Sequence, residues 1–331
     1  MAFILKNPGI LSTIQDSGRY GYQSTGISPA GALDYKSAFL ANQLVNNDPD
    51  AAVLELTLSG ISFKVTKNTT IATAGALMPI QVNGINYPIG RAIPLTKGDD
   101  VEIGYAEKGI RTYFAVAGGF LLESVLGSYS THLRTNMGGY KGRALRKGDV
   151  LLYNGANNEN YFRIAKNNVD EINNEIRIVP GPNYQDLTER STQTLVNQPY
   201  IITRSNDRMG IRLEGEALET KDGVHDLLSE PTQLGNIQVP KNGMPIILLN
   251  DRQTSGGYKR MASVAKVDLP KLVQMKPDEE IHFKMITLEE ATAFYQEEMA
   301  KILSGNYLSV DNEHHYYRRV EAERVQKLFM R

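Results

Sequence analysis

Short runs in which apolar and polar residues alternate dominate the chain. In residues 53–58 the sequence Val-Leu-Glu-Leu-Thr-Leu places three leucines on one face and Val53, Glu55 and Thr57 on the other, which predicts a half-buried strand. Comparable runs occupy residues 61–65, 101–105, 113–116, 175–179 and 246–249. Short turns built on glycine and asparagine separate these runs. The pattern favours β-barrels or sandwiches over a parallel sheet with crossover helices.

Helical periodicity is less common. Ser28-Pro29 is typical of a helix N-terminus, and apolar residues then recur at a spacing of three to four up to Leu44. A second helix is expected to begin at Thr287, because Glu290 three residues later completes a capping-box pattern.

An asparagine-rich stretch, residues 154–174, marks the predicted domain boundary. We therefore predict a mainly β protein with an N-terminal β-rich domain over residues 1–165 and a C-terminal β-barrel domain over residues 166–286. A helical tail is expected over residues 287–331, and its last part, residues 312–331, is highly charged.

Composition limits the classes of function. The 331 residues carry 36 Lys and Arg against 37 Asp and Glu, so the formal net charge is −1, which argues against a dedicated nucleic-acid binder. The absence of cysteine excludes disulfides, metal–thiolate sites and cysteine nucleophiles, and the five histidines show no recognised zinc spacing. The N-terminal apolar run is too short for a signal peptide, and no run could span a bilayer. We expect a cytoplasmic protein without a membrane partner or a metal site.

Four segments combine glycine with charged and polar side chains more densely than a plain core requires. They are residues 13–21, 126–149, 204–212, and 235–240 together with 250–258. The second segment places five cations in fourteen residues without a carboxylate among them: Arg134, Lys141, Arg143, Arg146 and Lys147. Glycine loops expose backbone N–H groups, which together with Arg and Lys bind phosphate or carboxylate oxygens.

Each segment also has a structural explanation. The first could be an Asx-turn with an internal Asp16–Arg19 pair, the second a solvated hairpin, and the third an ion-paired loop at a domain seam. For the fourth segment we favour a functional explanation, because its polar cluster is costly to bury unless it meets a ligand or a partner.

Taken together, these segments resemble the 5-oxoprolinase C-subunit family (PxpC or KipA), also called allophanate hydrolase subunit 2 or biotin-dependent carboxyltransferase-like. The matching pieces are residues 13–21, 31–34, 54–55, 118–120, 126–131, 142–143, 207–210, 237–240 and 253–258. The chain departs from the family pattern at Tyr129, where relatives often have arginine, and at Lys259, where they often have proline. Ser255 replaces a family threonine but keeps the hydroxyl.

The resemblance implies a cyclophilin-like β-barrel architecture. It also implies two partners, a subunit-B-like protein (KipI or PxpB) and the A subunit (PxpA), with which such proteins open 5-oxoproline to glutamate using ATP. Relatives fused to urea amidolyase transfer carboxyl groups using biotin. We expect no biotin on this chain, because the sequence around Lys276 does not match a biotin-carrying hairpin.

Opening an activated lactam calls for groups that hold phosphate and carboxylate oxygens more than for a histidine base. On this basis we predict three catalytic residues, Asp251, Arg208 and Gln253, with Asp251 as the first choice for a general base. The predicted substrate-binding residues are Asp16, Arg19, Arg134, Arg143, Gln238, Thr254, Gly257 and Tyr258.

Two other functions stay open at this point. The chain could be a regulatory protein that binds a subunit-B-like inhibitor of a histidine kinase, which would need neither ATP nor a catalytic site. It could instead be a carboxyltransferase that acts on a urea-like substrate with biotin supplied by a partner.

Overall fold

The computed structural model describes residues 1–155, 162–164 and 173–310. Its first strands are β1 (Ala2–Asn7), β2 (Leu11–Gln15), β3 (Val53–Thr57), β4 (Ser62–Val65), β5 (Thr69–Leu77), β6 (Ile80–Val82), β7 (Ile85–Tyr87), β8 (Ile93–Leu95), β9 (Asp100–Ile103), β10 (Lys108–Val116) and β11 (Val150–Leu152). The others are β12 (Phe162–Ile164), β13 (Glu175–Pro180), β14 (Tyr200–Ile202), β15 (Gly210–Gly215), β16 (Asp226–Pro231), β17 (Asn236–Gln238), β18 (Ile246–Leu248), β19 (Ser255–Tyr258), β20 (Arg260–Val264), β21 (Glu280–Met285) and β22 (Leu308–Val310). The α-helices within the described residues are α1 (Tyr35–Leu44), α2 (Glu189–Asn197), α3 (Leu269–Leu272) and α4 (Leu288–Leu303).

The N-terminal unit is a sandwich of two sheets. One has six strands in the order β11-β1-β4-β9-β6-β7, and the other has five in the order β2-β3-β10-β5-β8. Aromatic rings from both sheets meet in the core, where the Phe3 ring lies 4.5 Å from that of Phe63 and 5.8 Å from that of Phe114. Each ring is fully buried. Apolar burial on this scale is the main favourable contribution to folding.

Helix α1 covers the outer face of the five-stranded sheet. Its buried leucines, Leu40 and Leu44, pack against small residues of β5 and β10 such as Ala72 and Ala115. This helix forms a third layer and corrects the prediction of a half-buried strand at residues 53–58, because β3 is buried on both faces apart from its last residue. The strand itself is confirmed.

The start of α1 differs from its prediction. The N-cap is Asp34, whose Oδ1 accepts a hydrogen bond from the backbone N–H of Ser37 at 2.9 Å. The prediction of a start at Ser28-Pro29 is wrong because Ala30 and Gly31 adopt positive φ angles of 54° and 98°, which an α-helix does not contain.

The C-terminal unit contains a closed barrel of seven strands in the order β13-β20-β17-β18-β15-β14-β21. Strands β13 and β21 close it as a parallel pair, with Glu175 opposite His282. Isoleucines such as Ile176, Ile237 and Ile247 fill its core with exposures of 0%. The prediction of a mainly β protein that contains a barrel is confirmed, while the domain boundaries at residues 165 and 286 stay predictions.

Strands β16 and β19 form a separate two-stranded ribbon beside the barrel. Between Asp226 and Glu230 the pairing register shifts, and Leu228 in this bulge is exposed. Helix α2 was not predicted, because its sequence Glu-Arg-Ser-Thr-Gln-Thr-Leu-Val-Asn has too few apolar residues to show helical periodicity. Thr188 caps α2 by accepting from the N–H of Ser191.

Helix α4 begins with the predicted capping box, in which Thr287 and Glu290 bond reciprocally. Its apolar residues form one stripe, in which Ala291 and Ile302 are buried, Tyr295 and Met299 are half-buried, and Leu288 is 66% exposed. The tail is not wholly helical, because β22 pairs antiparallel with β12. The predicted helix over residues 312–331 lies outside the described residues. Among the described residues, no helix has the length and apolar character required to cross a membrane.

We expect Thr287→Ala to weaken the first turn of α4 by about 1 kcal/mol, because the N–H of Glu290 then loses its side-chain acceptor. Thr292→Ala is the matched control, since that exposed hydroxyl only bonds back to the carbonyl of Leu288 in the same helix. Hydrogen exchange of the α4 amides measures both. Equal exchange in the two variants would show that the capping box does not stabilise the helix.

Candidate functional site

A buried ion network joins the two units. The Arg208 guanidinium donates from Nη1 to Glu55 Oε1 at 2.5 Å, and from Nε and Nη2 to the Asp251 carboxylate at 3.1 and 3.0 Å. Nη2 also donates to the carbonyl of Gly31 at 2.6 Å. Arg208 is 6% exposed, and both carboxylates are buried. One arginine from the barrel unit therefore pairs with one carboxylate from each unit.

Further hydrogen bonds reinforce the same seam. Glu55 Oε2 accepts from the N–H of Leu33 at 3.0 Å and from the Tyr113 hydroxyl at 2.8 Å. The Asn250 side-chain amide donates to the carbonyl of Gly31 at 3.2 Å and to that of Ala32 at 3.1 Å. Buried polar groups are tolerated when their bonding capacity is satisfied, and this network satisfies Glu55 on both oxygens.

The network sets the protonation of its members. Burial alone would raise the pKa of the Glu55 carboxyl, but the charges of Arg208 and Arg111 outweigh it and hold that pKa below its ordinary value. Burial would lower the pKa of Arg208, yet Asp251 and Glu55 raise it above the usual arginine value. Glu55 and Arg208 are thus ionised at neutral pH.

A groove of about 740 Å³ lies on the outer wall of the barrel. Ile246 and Leu248 line it, whereas Ile247 between them points into the barrel core. The groove also contains three predicted site residues: Gln238, Gln253 and Tyr258. They reach it from β17, from the loop before β19, and from the end of β19.

Gln238 places an unused donor in this groove. The side chain is 1% exposed, and its Nε2 has no hydrogen-bond partner within the part of the chain that the structure describes. A Cβ added to Gly256 would lie 2.8 Å from Gln238 Nε2 and 3.3 Å from Gln253 Nε2, so the two amide nitrogens approach one another beside this glycine. A buried donor without an acceptor is costly. An oxygen of a bound molecule would satisfy it.

Two arginines add positive charge to this wall. Arg134 of the N-terminal unit contacts the sulfur of Met209, and Arg212 on β15 lines the groove. Both are exposed, and neither forms an ion pair with any residue that the structure describes. The sequence singled out Arg134 but not Arg212. Segment 204–212 indicated arginine density, yet only the alternation of β15 shows that Arg212 faces outward.

The predicted residues Asp16 and Arg19 lie away from the groove and hold the 125–131 loop in place. Asp16 Oδ1 accepts from the Ser128 hydroxyl at 2.7 Å and from the N–H of Gly18 at 2.9 Å, which is the Asx-turn that the sequence indicated. Arg19 donates to the carbonyl of Ser130 at 3.0 Å and forms no ion pair with Asp16. Burial lowers the pKa of Arg19, and nearby Asp16 partly offsets this effect.

The remaining predicted residues are also placed apart from the groove lining. Arg143 forms a bidentate pair with Asp149 at 2.7 and 2.8 Å, and these bonds raise the pKa of Arg143. The carbonyl of Thr254 accepts a hydrogen bond from the backbone N–H of Thr232. Gly257 lies in β19 beside the carbonyl of Leu227. Among the described residues, no cluster of three or more His, Asp and Glu side chains could hold a metal ion.

Comparison with known proteins gives consistent matches. A family model described as carboxyltransferase domain, subdomain A and B, matches residues 25–285. The chain is 36% identical over 293 residues to the C subunit of 5-oxoprolinase from Escherichia coli (strain K12), covering 88% of this chain and 93% of that protein. The corresponding 5-oxoprolinase protein of Haemophilus influenzae is 33% identical, with coverages of 85% and 90%. The chain belongs to the 5-oxoprolinase C-subunit family.

The family extends to larger proteins. The crystal structure of Kluyveromyces lactis urea carboxylase aligns with a TM-score of 0.83 and 27% identity, covering 91% of this chain but 29% of that one. Urea amidolyase of Lachancea kluyveri is 31% identical, over 91% of this chain and 18% of the relative. This member of the 5-oxoprolinase C-subunit family therefore corresponds to a minor part of those proteins.

Both departures from the family pattern have local partners. Tyr129 donates its backbone N–H to Asp16 Oδ2 at 2.6 Å, a bond that does not depend on the side chain. Lys259 is buried and pairs with Asp222 at 3.0 Å and with Asp186 at 3.1 Å. The lysine in place of proline thus ties the ribbon end to two surface loops.

Removing Arg208 should strongly destabilise this C-subunit family member. Arg208→Ala leaves Glu55 and Asp251 buried without their cation, which should lower the free energy of unfolding by about 3–5 kcal/mol. Arg204→Ala is the matched control, because its pair with Asp278 is exposed to solvent and should contribute little to stability. Urea denaturation compares them. Similar losses in both variants would contradict a stabilising role for the network.

The network also predicts a pH dependence. Because the pKa of folded Glu55 lies below the ordinary value of 4.5, its contribution to stability is fully present above pH 4.5 and is lost as the pH falls through the folded value. The stability difference between wild type and Glu55→Gln should therefore shrink on acidification. Thermal unfolding at a series of pH values measures this difference, and a constant difference would count against ionised Glu55.

Proposed function

We propose that this chain is the C subunit of an ATP-dependent 5-oxoprolinase, which acts with the A and B subunits to hydrolyse 5-oxoproline to L-glutamate. The relatives that carry this 5-oxoprolinase name match it over 90% or more of their length. The geometric observation that carries the proposal is the pair of amide nitrogens, Gln238 Nε2 and Gln253 Nε2, converging in a groove beside two arginines without ion pairs in the described chain.

These groups suit the chemistry. 5-Oxoproline bears a carboxylate and a lactam oxygen, and water adds to the lactam carbon as the C–N bond breaks. Gln238 Nε2 would donate to a substrate oxygen, and Arg212 with Arg134 would hold the carboxylate. ATP, bound together with the partner subunits, would supply activation of the lactam oxygen. The two cations fit an anionic group of this kind.

In this proposal Asp251 and Arg208 act below the groove surface. Each is buried and already bonded to the other, while the next residue along the chain, Met209, lines the groove. Their assignment as catalytic residues stays a prediction. Their alanine variants cannot separate catalysis from folding, since both would disrupt the seam. The groove residues give the sharper test.

We propose that partner subunits complete the site and that the isolated chain is inactive. The groove lies on an outer wall, so a ligand there keeps one side open to solvent. Closing that side would exclude water and strengthen the charged contacts. The expected partners are the subunit-B-like protein (KipI or PxpB) and the A subunit (PxpA), in the cytoplasm.

A second candidate is carboxyl transfer to a urea-like substrate with biotin carried by another protein. The structural similarity to urea carboxylase, with its TM-score of 0.83, favours it. The same amide nitrogens and arginines would then face a carboxylated substrate. This chain spans less than a third of that enzyme, so the other domains would have to come from partners.

We expect Gln238→Leu to lower kcat/KM of the reconstituted complex for 5-oxoproline by about 100-fold, because an aligned donor in a water-poor site is lost. The chain is co-purified with the A and B subunits, and ATP-dependent glutamate release is measured. Gln198→Leu is the matched control, since this exposed glutamine lies outside the groove and should leave turnover unchanged.

Co-purification of the subunits reports assembly separately from turnover. Loss of turnover with assembly intact supports the proposed role of Gln238, and unchanged turnover contradicts it. A well-folded wild-type complex that releases no glutamate would contradict the 5-oxoprolinase function. Consumption of urea and bicarbonate, with a biotin carboxylase present, would support the second candidate.

A further inference from the structure

A second cavity, of about 280 Å³, lies where the two units meet and shares no lining residue with the groove. Helix α1, the loop after β2 and the loop before β3 line it from the N-terminal unit. Residues of the barrel unit, among them Lys266 and Tyr295 of α4, line the opposite side. Nothing in the proposed reaction uses this cavity.

The interior of the cavity is aromatic. The Tyr35 ring lies 6.2 Å from that of Phe39 and 6.0 Å from that of Tyr295, both in edge-to-face geometry. The Tyr35 hydroxyl is buried and has no hydrogen-bond partner among the described residues. Such walls favour an apolar or aromatic group, and an unpaired hydroxyl can still bond to a polar atom that enters with it.

Two opposite charges line the same cavity without pairing. Lys266 Nζ lies 4.5 Å from the centre of the Tyr295 ring and 5.9 Å from that of Tyr35, and it forms no ion pair with a described residue. Asp50 is exposed and accepts the Ser17 hydroxyl on one oxygen, which leaves the other oxygen without a donor in the described part of the chain. Asp50 and Lys266 form no salt bridge, so their charged atoms are more than 4 Å apart.

Asp16 is the third charged residue in the lining, but its carboxylate is already occupied. It accepts hydrogen bonds from the N–H groups of Gly18 and Tyr129 and from the hydroxyls of Ser128 and Ser130. A cationic group bound in the cavity would therefore pair with Asp50 rather than with Asp16.

We propose that this cavity binds a free α-amino acid with an apolar or aromatic side chain. The ligand carboxylate pairs with Lys266, its ammonium group pairs with Asp50, and its side chain lies among the rings of Tyr35, Phe39 and Tyr295. A zwitterion can pair with both Lys266 and Asp50, whereas a molecule with one charge leaves one of these side chains without an oppositely charged partner. The binding is independent of the groove and of the proposed reaction.

The first test is calorimetric titration of the purified full chain with three probes of the same ring. L-Phenylalanine carries both charges, phenethylamine lacks the carboxylate, and 3-phenylpropanoate lacks the ammonium group. We expect saturable binding of L-phenylalanine, with each single-charge probe about tenfold weaker, which is the loss of one charge-assisted contact. No saturable binding up to about 10 mM, well above the 1 mM scale of weak sites, would overturn the proposal.

Two exposed substitutions then assign the charges. Lys266→Met should weaken the binding of L-phenylalanine and 3-phenylpropanoate about tenfold and leave that of phenethylamine unchanged. Asp50→Asn should weaken the binding of L-phenylalanine and phenethylamine about tenfold and leave that of 3-phenylpropanoate unchanged. Asparagine keeps an acceptor for Ser17, so the loop should stay folded. Lys97→Met is the control, because this exposed lysine lies in a distant turn. Binding that is equal in all variants would overturn the proposal even if wild type binds.

Discussion

The pairing of Arg208 with Glu55 and Asp251 fixes how the sandwich and the barrel sit against each other. Burying three charged groups is unfavourable unless each finds its partner, and here the partners come from both units. The surrounding carbonyls and hydroxyls satisfy the remaining bonds. The seam is therefore specific in geometry, because a small sliding of one unit over the other would leave a buried carboxylate unpaired.

This constraint also positions the groove. Met209 follows Arg208 directly, and its carbonyl accepts the N–H of Leu249, so the groove wall is continuous with the seam. From the sandwich, Arg134 reaches the same methionine across the boundary. The barrel thus supplies the amide donors and the sandwich supplies one cation.

Local alternation was enough to predict six of the 22 strands that the structure describes. The runs at residues 61–65, 101–105 and 246–249 became β4, β9 and β18 with small differences at their ends. Alternation failed to predict burial where a third layer covers the sheet. It indicated that Glu55 faces solvent, but Glu55 lies buried between the two units. The start of α1 was missed for a related reason: the residues after Pro29 leave the helical region to meet Arg208 and Asn250.

By itself the sequence determined which segments are chemically rich, the β class and the family. It identified Gln238, Gln253 and Tyr258, which do meet in one groove. Only the tertiary structure decided which charges remain available there. Arg208 and Glu55 are 153 residues apart, and Arg208 and Asp251 are 43 apart, so these ion pairs depend on packing that no local pattern records. Arg143 pairs with Asp149 only six residues along the chain, whereas Arg212 forms no ion pair within the described residues, because its strand directs it outward.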